Sequence, residues 1–434
     1  MPTRLSIKRP DSASPALNRI TADRLAAIET PPEPNRLMRP IAPILTSDTG
    51  FAVRVATFYA ALFVLSGIVL PFFPVWLKAK GVEAVLIGIT LAAPQIVRVV
   101  AIPLVTRHAD RKDALRGTLV VLAALGLAGY GLVAFAEGGL FILAAFTLTA
   151  LATTPMMPLL ETYTLRGLGA RGRAYGPVRL WGSVAFIVGA FGAGIAADVF
   201  PARDLIWLIV LASAATLLMA INLAPLAALA PHDAVAADVP RPKPLLRDRA
   251  FLVIAISAGL TQASHAVYYA FSALDWRNAG LDGSVIAALW ALGVIAEIVL
   301  FALSGRLPAF LTPTMMLTIG GAGAAVRWAA MALDPPAWTL PALQLLHALS
   351  FGMTYLGALF FTNRHAPPGQ AATAQGYLAI ILGVTAAAAM GLSGWLYGLF
   401  GGKAYAAMAL TAVVGCAYGA VADRAARRRA GDTL

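Results

Sequence analysis

From Phe51 onward, apolar runs of about 20 residues alternate with short polar breaks. A helix rises 1.5 Å per residue, so about 20 apolar residues cross roughly 30 Å of hydrocarbon. The pattern predicts twelve spans, over about 51–77, 83–105, 117–136, 139–163, 175–198, 204–224, 250–276, 284–305, 314–333, 338–362, 371–400 and 403–422. The longest break, 225–249, holds Pro225, Pro231, Pro240, Pro242 and Pro244 and leaves six spans on each side. The expected fold is an all-α membrane protein of twelve transmembrane helices in two pseudo-symmetric six-helix bundles, a layout shared by transporters built from repeated halves. Its divisions would be an N-terminal bundle over 51–224, a cytoplasmic linker over 225–249, a C-terminal bundle over 250–423 and a basic tail over 424–434.

Residues 1–50 lack any apolar run and carry Pro31, Pro32, Pro34 and Pro40 among mixed charges. They read as a disordered cytoplasmic tail, with Met38 as an alternative start. No signal-peptide core of about 7–15 apolar residues is visible in them.

Composition fits a solvent that is partly lipid. The chain is 59% hydrophobic and 12% charged, against about 25% charged in ordinary soluble domains. The net charge of +12 does not indicate nucleic acid, because the excess sits in tails and loops between spans. With the N-terminus in the cytoplasm, cytoplasmic segments carry 25 Lys and Arg and external ones five: Lys78, Lys80, Arg203, Arg277 and Lys403. That bias predicts a multi-pass protein of the cytoplasmic (inner) membrane with both termini inside. The single cysteine, Cys416, excludes an internal disulfide and a thiolate metal cluster. Gly402-Lys403 lacks the spacing of a phosphate loop, and no nucleophile–base pair or metal-ligand spacing stands out. The reading is a non-enzyme without metal or cofactor, driven by an ion gradient.

Several spans contain groups that lipid does not tolerate cheaply: Arg98, Glu161, Arg179, Glu297, Arg327 and His347. A charge at the bilayer centre costs about 2.5 kcal/mol or more. Both signs kept inside the membrane point to a substrate or proton path. Arg98 lies one turn after Gln95, so both should face inward. The seventh span sets Gln262, His265, Tyr268, Tyr269, Phe271 and Ser272 close together, a polar-aromatic stripe suited to a cavity wall. Trp76, Trp338 and Tyr397 fit the interfacial belts.

Three features carry a family resemblance. The loop from Thr106 to Arg116, with Asp110 and Arg111 at its centre, resembles the signature loop of the major facilitator superfamily. It lacks the leading glycine, and its spacing to Arg116 is one residue long. The first span ends Leu70-Pro71-Phe72-Phe73-Pro74-Val75-Trp76-Leu77-Lys78, which resembles the lactose permease branch of oligosaccharide:proton symporters. Glu161 and Arg179 are eighteen residues apart, and Arg327 and His347 twenty apart, as in that branch. The stretches Val178–Ala190, Gln262–Trp276, Trp290–Glu297 and Ala325–Trp328 look closer still to the 3-phenylpropionate permease family.

The resemblance implies a major facilitator fold working by alternating access, and proton-coupled uptake of an aromatic carboxylate. It implies that Asp110 and Arg111 belong to a conformational latch, that Glu161 and Arg179 hold substrate, and that Arg327 and His347 serve proton coupling. Where the lactose permease branch has a proton-carrying glutamate one turn after the histidine, this chain has Ser350. Glu297 is therefore the candidate carrier, through a contact with Arg327 that forms in one conformation and breaks in another. Arg98, Gln262, His265, Tyr268, Tyr269 and Phe271 are the further candidate binding residues, the arginines for a carboxylate and the rings for stacking. The expected partners are a small-molecule substrate, protons and the bilayer, with the protein acting as a monomer. Alternatives are an oligosaccharide or nucleoside symporter, or a non-transporting membrane sensor on the same fold.

Overall fold

Among the described residues the chain forms twelve long helices. The computed structural model describes residues 47–226, 245–308, 310–367 and 370–431. The helices are α1 (Ser47–Ala79), α2 (Ala84–Arg111), α3 (Leu115–Phe135), α4 (Gly139–Gly169), α5 (Tyr175–Val199), α6 (Leu205–Ile221), α7 (Arg249–Asn278), α8 (Gly283–Leu303), α9 (Pro313–Ala332), α10 (Ala337–His365), α11 (Ala371–Phe400) and α12 (Tyr405–Gly431). By length and hydropathy these make eleven candidate spans. The last of them, Thr373–Arg427, holds both α11 and α12, separated by a 3-10 turn at Gly401–Ala404 where Gly401 takes φ +56°. The tail expected over 1–50 and the linker over 225–249 lie mostly outside the described residues.

α12 runs on to Gly431, past the expected end near 422. Asp423 explains the extension: it accepts from Thr312 and Thr314 of α9 and pairs with Arg427 one turn on, at 2.7 Å. Two residues expected in the interfacial belts have packing roles. Trp76 is fully buried and donates to the Arg203 carbonyl; Tyr397 donates to Asp275. Trp338 stays 80% exposed, as a belt residue would.

Three helices depart from regular geometry. α4 breaks at Thr154–Pro155, where proline has no N–H to give the ladder. α7 breaks at Ser264–His265, where side chains compete for the carbonyls: Ser264 Oγ donates to Thr261 O at 2.6 Å, and His265 Nδ1 lies 3.2 Å from both Thr261 O and Gln262 O. α10 widens into a π-helical segment at Ala348–Met353. The last two meet at the same depth, since Gln262 Nε2 donates to Phe351 O and His265 Nε2 faces Ser350 Oγ. Irregular backbone at membrane depth survives only where protein groups or a wet cavity satisfy it.

The core is distributed unequally between the two ends of the slab. At the end of the loops 80–83, 200–204, 279–282 and 401–404, one apolar cluster joins both bundles, from Phe72, Phe73 and Trp76 through Phe186 to Phe271, Trp290, Trp328 and Tyr405. At the opposite end the bundles keep separate cores. One gathers Phe51, Phe58, Tyr59, Leu160 and Tyr163; others gather Phe251, Ile254 and Leu378, and Met316, Met353 and Leu356. The molecule is thus closed at the first end and open at the second.

Closure rests on two backbone-to-backbone crossings. A side chain at Gly194 of α5 would sit 2.4 Å from the Gly283 carbonyl of α8, and one at Gly88 of α2 would sit 2.8 Å from the Gly394 nitrogen of α11. Glycine is what permits such approach. Beside the first crossing, Asp198 of α5 accepts from the Gly283 and Ser284 amides at 2.6 and 3.0 Å. A residue of one bundle thereby caps the N-terminus of a helix in the other, complementing its dipole. Arg277 stands 3.7 Å from the same carboxylate.

Candidate substrate and proton site

Arg327, on α9, is fully buried, and no carboxylate lies within 4.0 Å of it among the described residues. Its charge is held by dipoles and ring faces instead. Nη2 donates to Gln344 Oε1 at 2.6 Å, and Nη1 to His347 Nδ1 at 3.1 Å and to Ser350 Oγ at 3.4 Å. The guanidinium carbon lies 4.6 Å from the Tyr268 ring and 4.5 Å from the Trp328 ring, close enough for cation–π attraction.

An arginine has donors and no acceptor, which orders the protons around it. His347 Nδ1 must accept, so the neutral ring carries its proton on Nε2. Ser350 Oγ accepts from Arg327 and also lies within hydrogen-bond distance of His265 Nε2, 3.1 Å away. His265 Nδ1 faces two carbonyls and therefore holds a proton. His347 is neutral in this arrangement, with its tautomer set by Arg327. The buried donors Arg327 Nε, Gln344 Nε2 and Trp290 Nε1 meet no acceptor. The network is rich in donors.

Glu297 on α8 is the acid at the edge of this network. Its Oε2 lies 3.6 Å from His347 Nε2, with the side chain 21% exposed. In this conformation Glu297 and Arg327 make no contact; His347 stands between them, with Nδ1 toward Arg327 and Nε2 toward Glu297. Ser350 replaces an acid with a hydroxyl and becomes the hub that joins Arg327 to His265.

The other half of the site comes from the N-terminal bundle. Arg179 on α5 is half-buried, with its guanidinium 4.3 Å from the Phe63 ring and 5.5 Å from the Tyr59 ring of α1. Gly182, one turn on, leaves the room that Arg179 and Phe63 share. Among the described residues no carboxylate comes within 4.0 Å of Arg179, yet its charge acts on both Glu161 of α4 and Glu297 of α8. One unpaired cation therefore faces two acids, one from each bundle, in the opening between them.

The remaining candidates divide. Gln262, His265 and Tyr268 join the C-terminal network; Tyr268 is sandwiched between Arg327 and Trp290, whose ring centroid is 4.7 Å away. Tyr269 stacks on His265 at 5.6 Å. Phe271 faces away from the site and stacks on Tyr397 of α11 at 4.1 Å. Arg98 is exposed, although it shares a helix face with the buried Ile87 and Ala109, eleven residues to either side, so it faces the opening; it donates to Gln95 Oε1 at 3.3 Å. Asp110 and Arg111 are exposed. The tie across their loop comes from neighbours: Asp113 pairs with Arg166 of α4 at 2.6 Å, and Arg116 donates to the Ile221 and Leu223 carbonyls at the end of α6.

Comparison with known proteins agrees with this architecture. Residues 52–408 match the MFS_1 like family. The chain is 30% identical over 363 residues to the probable 3-phenylpropionic acid transporter of Escherichia coli K12, covering 82% of this chain and 93% of that one. It is 28% identical to the maltose permease of Geobacillus stearothermophilus, covering 80% and 85%. Among solved structures, the nucleoside transporter NupG superposes with a TM-score of 0.74 at 15% identity, covering 86% of this chain and 98% of that one. The inward-open xylose transporter XylE from E. coli superposes with a TM-score of 0.61 at 13% identity, covering 85% and 95%. With two bundles closed at one end over a charged, aromatic-lined opening, the chain belongs to the MFS_1 like family and is a multi-pass secondary transporter of the major facilitator type.

Proposed function

We propose that the protein is a monomeric, proton-coupled importer of a small aromatic carboxylate. The observation that carries this reading is Arg179, an unpaired cation within electrostatic range of Glu161 and Glu297 and stacked on aromatic rings. A carboxylate cargo would supply the anion that neither acid brings into contact, and a guanidinium fork matches it. Glu297 would take the coupled proton, because the network behind it is already saturated with donors. The resemblance to the probable 3-phenylpropionic acid transporter of E. coli supports this cargo class. The Lys and Arg bias of the loops supports placing the open end in the cytoplasm, so this conformation is the one that releases cargo inside. The division into a 51–224 and a 250–423 bundle joined by a cytoplasmic linker belongs to the same reading.

A second reading, symport of a neutral sugar, has the maltose permease resemblance in its favour; Glu161 and Arg179 would then bind hydroxyls. Proteoliposomes separate the two. An inward-directed proton gradient should drive saturable accumulation of 3-phenylpropionate. Accumulation of maltose without any of the aromatic acid would overturn the proposal.

A further inference from the structure

α10 carries three rings spaced four residues apart: His347, Phe351 and Tyr355. Phe351 lies in the π-helical segment Ala348–Met353, with His347 just before it and Tyr355 just after it. Their planes stay close to parallel. His347 and Phe351 stand 5.2 Å apart at 16°, and Phe351 and Tyr355 stand 6.3 Å apart at 6°. The ladder starts at buried His347 and ends at Tyr355, which is 43% exposed. Phe301 of α8 covers one side of the Tyr355 ring at 6.0 Å.

Tyr355 belongs to the C-terminal bundle, but its hydroxyl interacts electrostatically with Glu161, Tyr175 and Arg179 of the other bundle as well as with Glu297. It therefore borders the opening, not the lipid. The chamber has a cation on one wall, held on Phe63, and a partly uncovered stack of rings on the other. Those two walls match the two ends of one kind of molecule, an acid that carries an aryl ring.

We propose that Phe351 and Tyr355 form the ring-reading wall that makes the transporter prefer aryl over saturated carboxylates, with Arg179 opposite taking the carboxylate. This rests on the aromatic-acid reading above and adds the residues that set the preference. Neither ring is needed to hold a proton, so their loss alters selectivity before it alters coupling.

The test is exchange of labelled 3-phenylpropionate across proteoliposome membranes without a gradient, with competition by unlabelled 3-phenylpropionate or 3-cyclohexylpropionate. The two competitors have similar bulk and the same carboxylate, and only one has a π face. The wild-type protein should favour the aryl acid. Offset stacking is worth a few-fold to about tenfold in affinity, so Tyr355→Leu and Phe351→Leu should each lower the aryl-to-cyclohexyl ratio by about threefold or more. Tyr355→Phe should keep it. An unchanged ratio in Tyr355→Leu and Phe351→Leu, with exchange intact, would overturn the wall assignment and leave the cargo class standing. A ratio lost equally in Tyr355→Phe would assign the effect to the hydroxyl and also overturn it. Wild-type protein that binds neither acid would overturn the cargo class itself.

Discussion

His347 accepts a hydrogen bond from Arg327 through Nδ1 and so turns a protonated Nε2 toward Glu297, 3.6 Å away. The ring separates a fully buried cation from a partly exposed acid. Arg327 is thereby held in place whether or not Glu297 carries a proton, and Glu297 stays free to change partners as the bundles move. In this state Arg179 of the opposite bundle is the cation of the open chamber that acts on Glu297.

The buried arginine should be a structural necessity. Replacing Arg327 by Leu strands the Gln344 carbonyl, His347 and Ser350 without their donor. Leaving buried polar groups unpaired should destabilise the protein by about 2–4 kcal/mol, seen as earlier thermal unfolding in detergent. Arg327→Lys should recover only part, since an ammonium lacks the planar fork and the stacking surface. A leucine variant as stable as wild type would remove Arg327 from the centre of this network.

Asp198 should set the balance between closed and open at the closed end. Its carboxylate holds two amides at the start of α8 from the other bundle, and bonds to a charged acceptor contribute about 1.5–3 kcal/mol. Asp198→Ala should therefore shift the equilibrium toward opening at that end by roughly tenfold or more. Ala287 is fully buried against Gly194 in the same crossing. In a background lacking Cys416, an Ala287→Cys reporter should react faster with an impermeant maleimide when Asp198 is replaced. Equal rates would show that the glycine crossings hold the end shut unaided.

Much of this was legible from residue patterns. The twelve apolar runs correspond to twelve helices among the described residues. Period and composition could not show the break at Ser264–His265 or the π-helical segment, because the apolar pattern continues through both. In this conformation His347 stands between Glu297 and Arg327, an arrangement that their positions in the sequence do not show. Phe271 follows Tyr269 by two residues in the same unbroken helical segment, about 200° round the helix, and so turns onto Tyr397 instead of the site. Asp198 stands in no motif; only tertiary structure places the N-terminus of α8 against it. Tyr355 and Phe63 gave no signal beyond being aromatic on a membrane helix, though Tyr355 lies two turns from His347 and that spacing was a usable clue.

Asp248 offers a test of local stability with a defined pH dependence. It caps α7, its Oδ1 accepting from Ala250 and Phe251, and its Oδ2 lies 2.8 Å from His365. Burial pushes its carboxyl upward, but the bonds from His365 and from the two amides outweigh that and hold it below the usual carboxylate range. A carboxyl lowered by folding stabilises above its unfolded pKa of about 4, and loses that effect as the pH falls through the folded value. Asp248→Ala should cost about 1 kcal/mol near neutral pH. Thermal unfolding should show the gap to wild type narrowing as the pH is lowered toward about 3. A gap that widens on acidification would contradict the cap.

The central claim is that Glu297 carries the coupled proton while Arg179 holds the cargo. Glu297→Gln keeps the shape and removes the titration. In proteoliposomes this variant should still exchange labelled 3-phenylpropionate for unlabelled at a rate comparable to wild type, yet fail to accumulate it under an inward proton gradient. Accumulation that survives in Glu297→Gln would contradict the assignment directly.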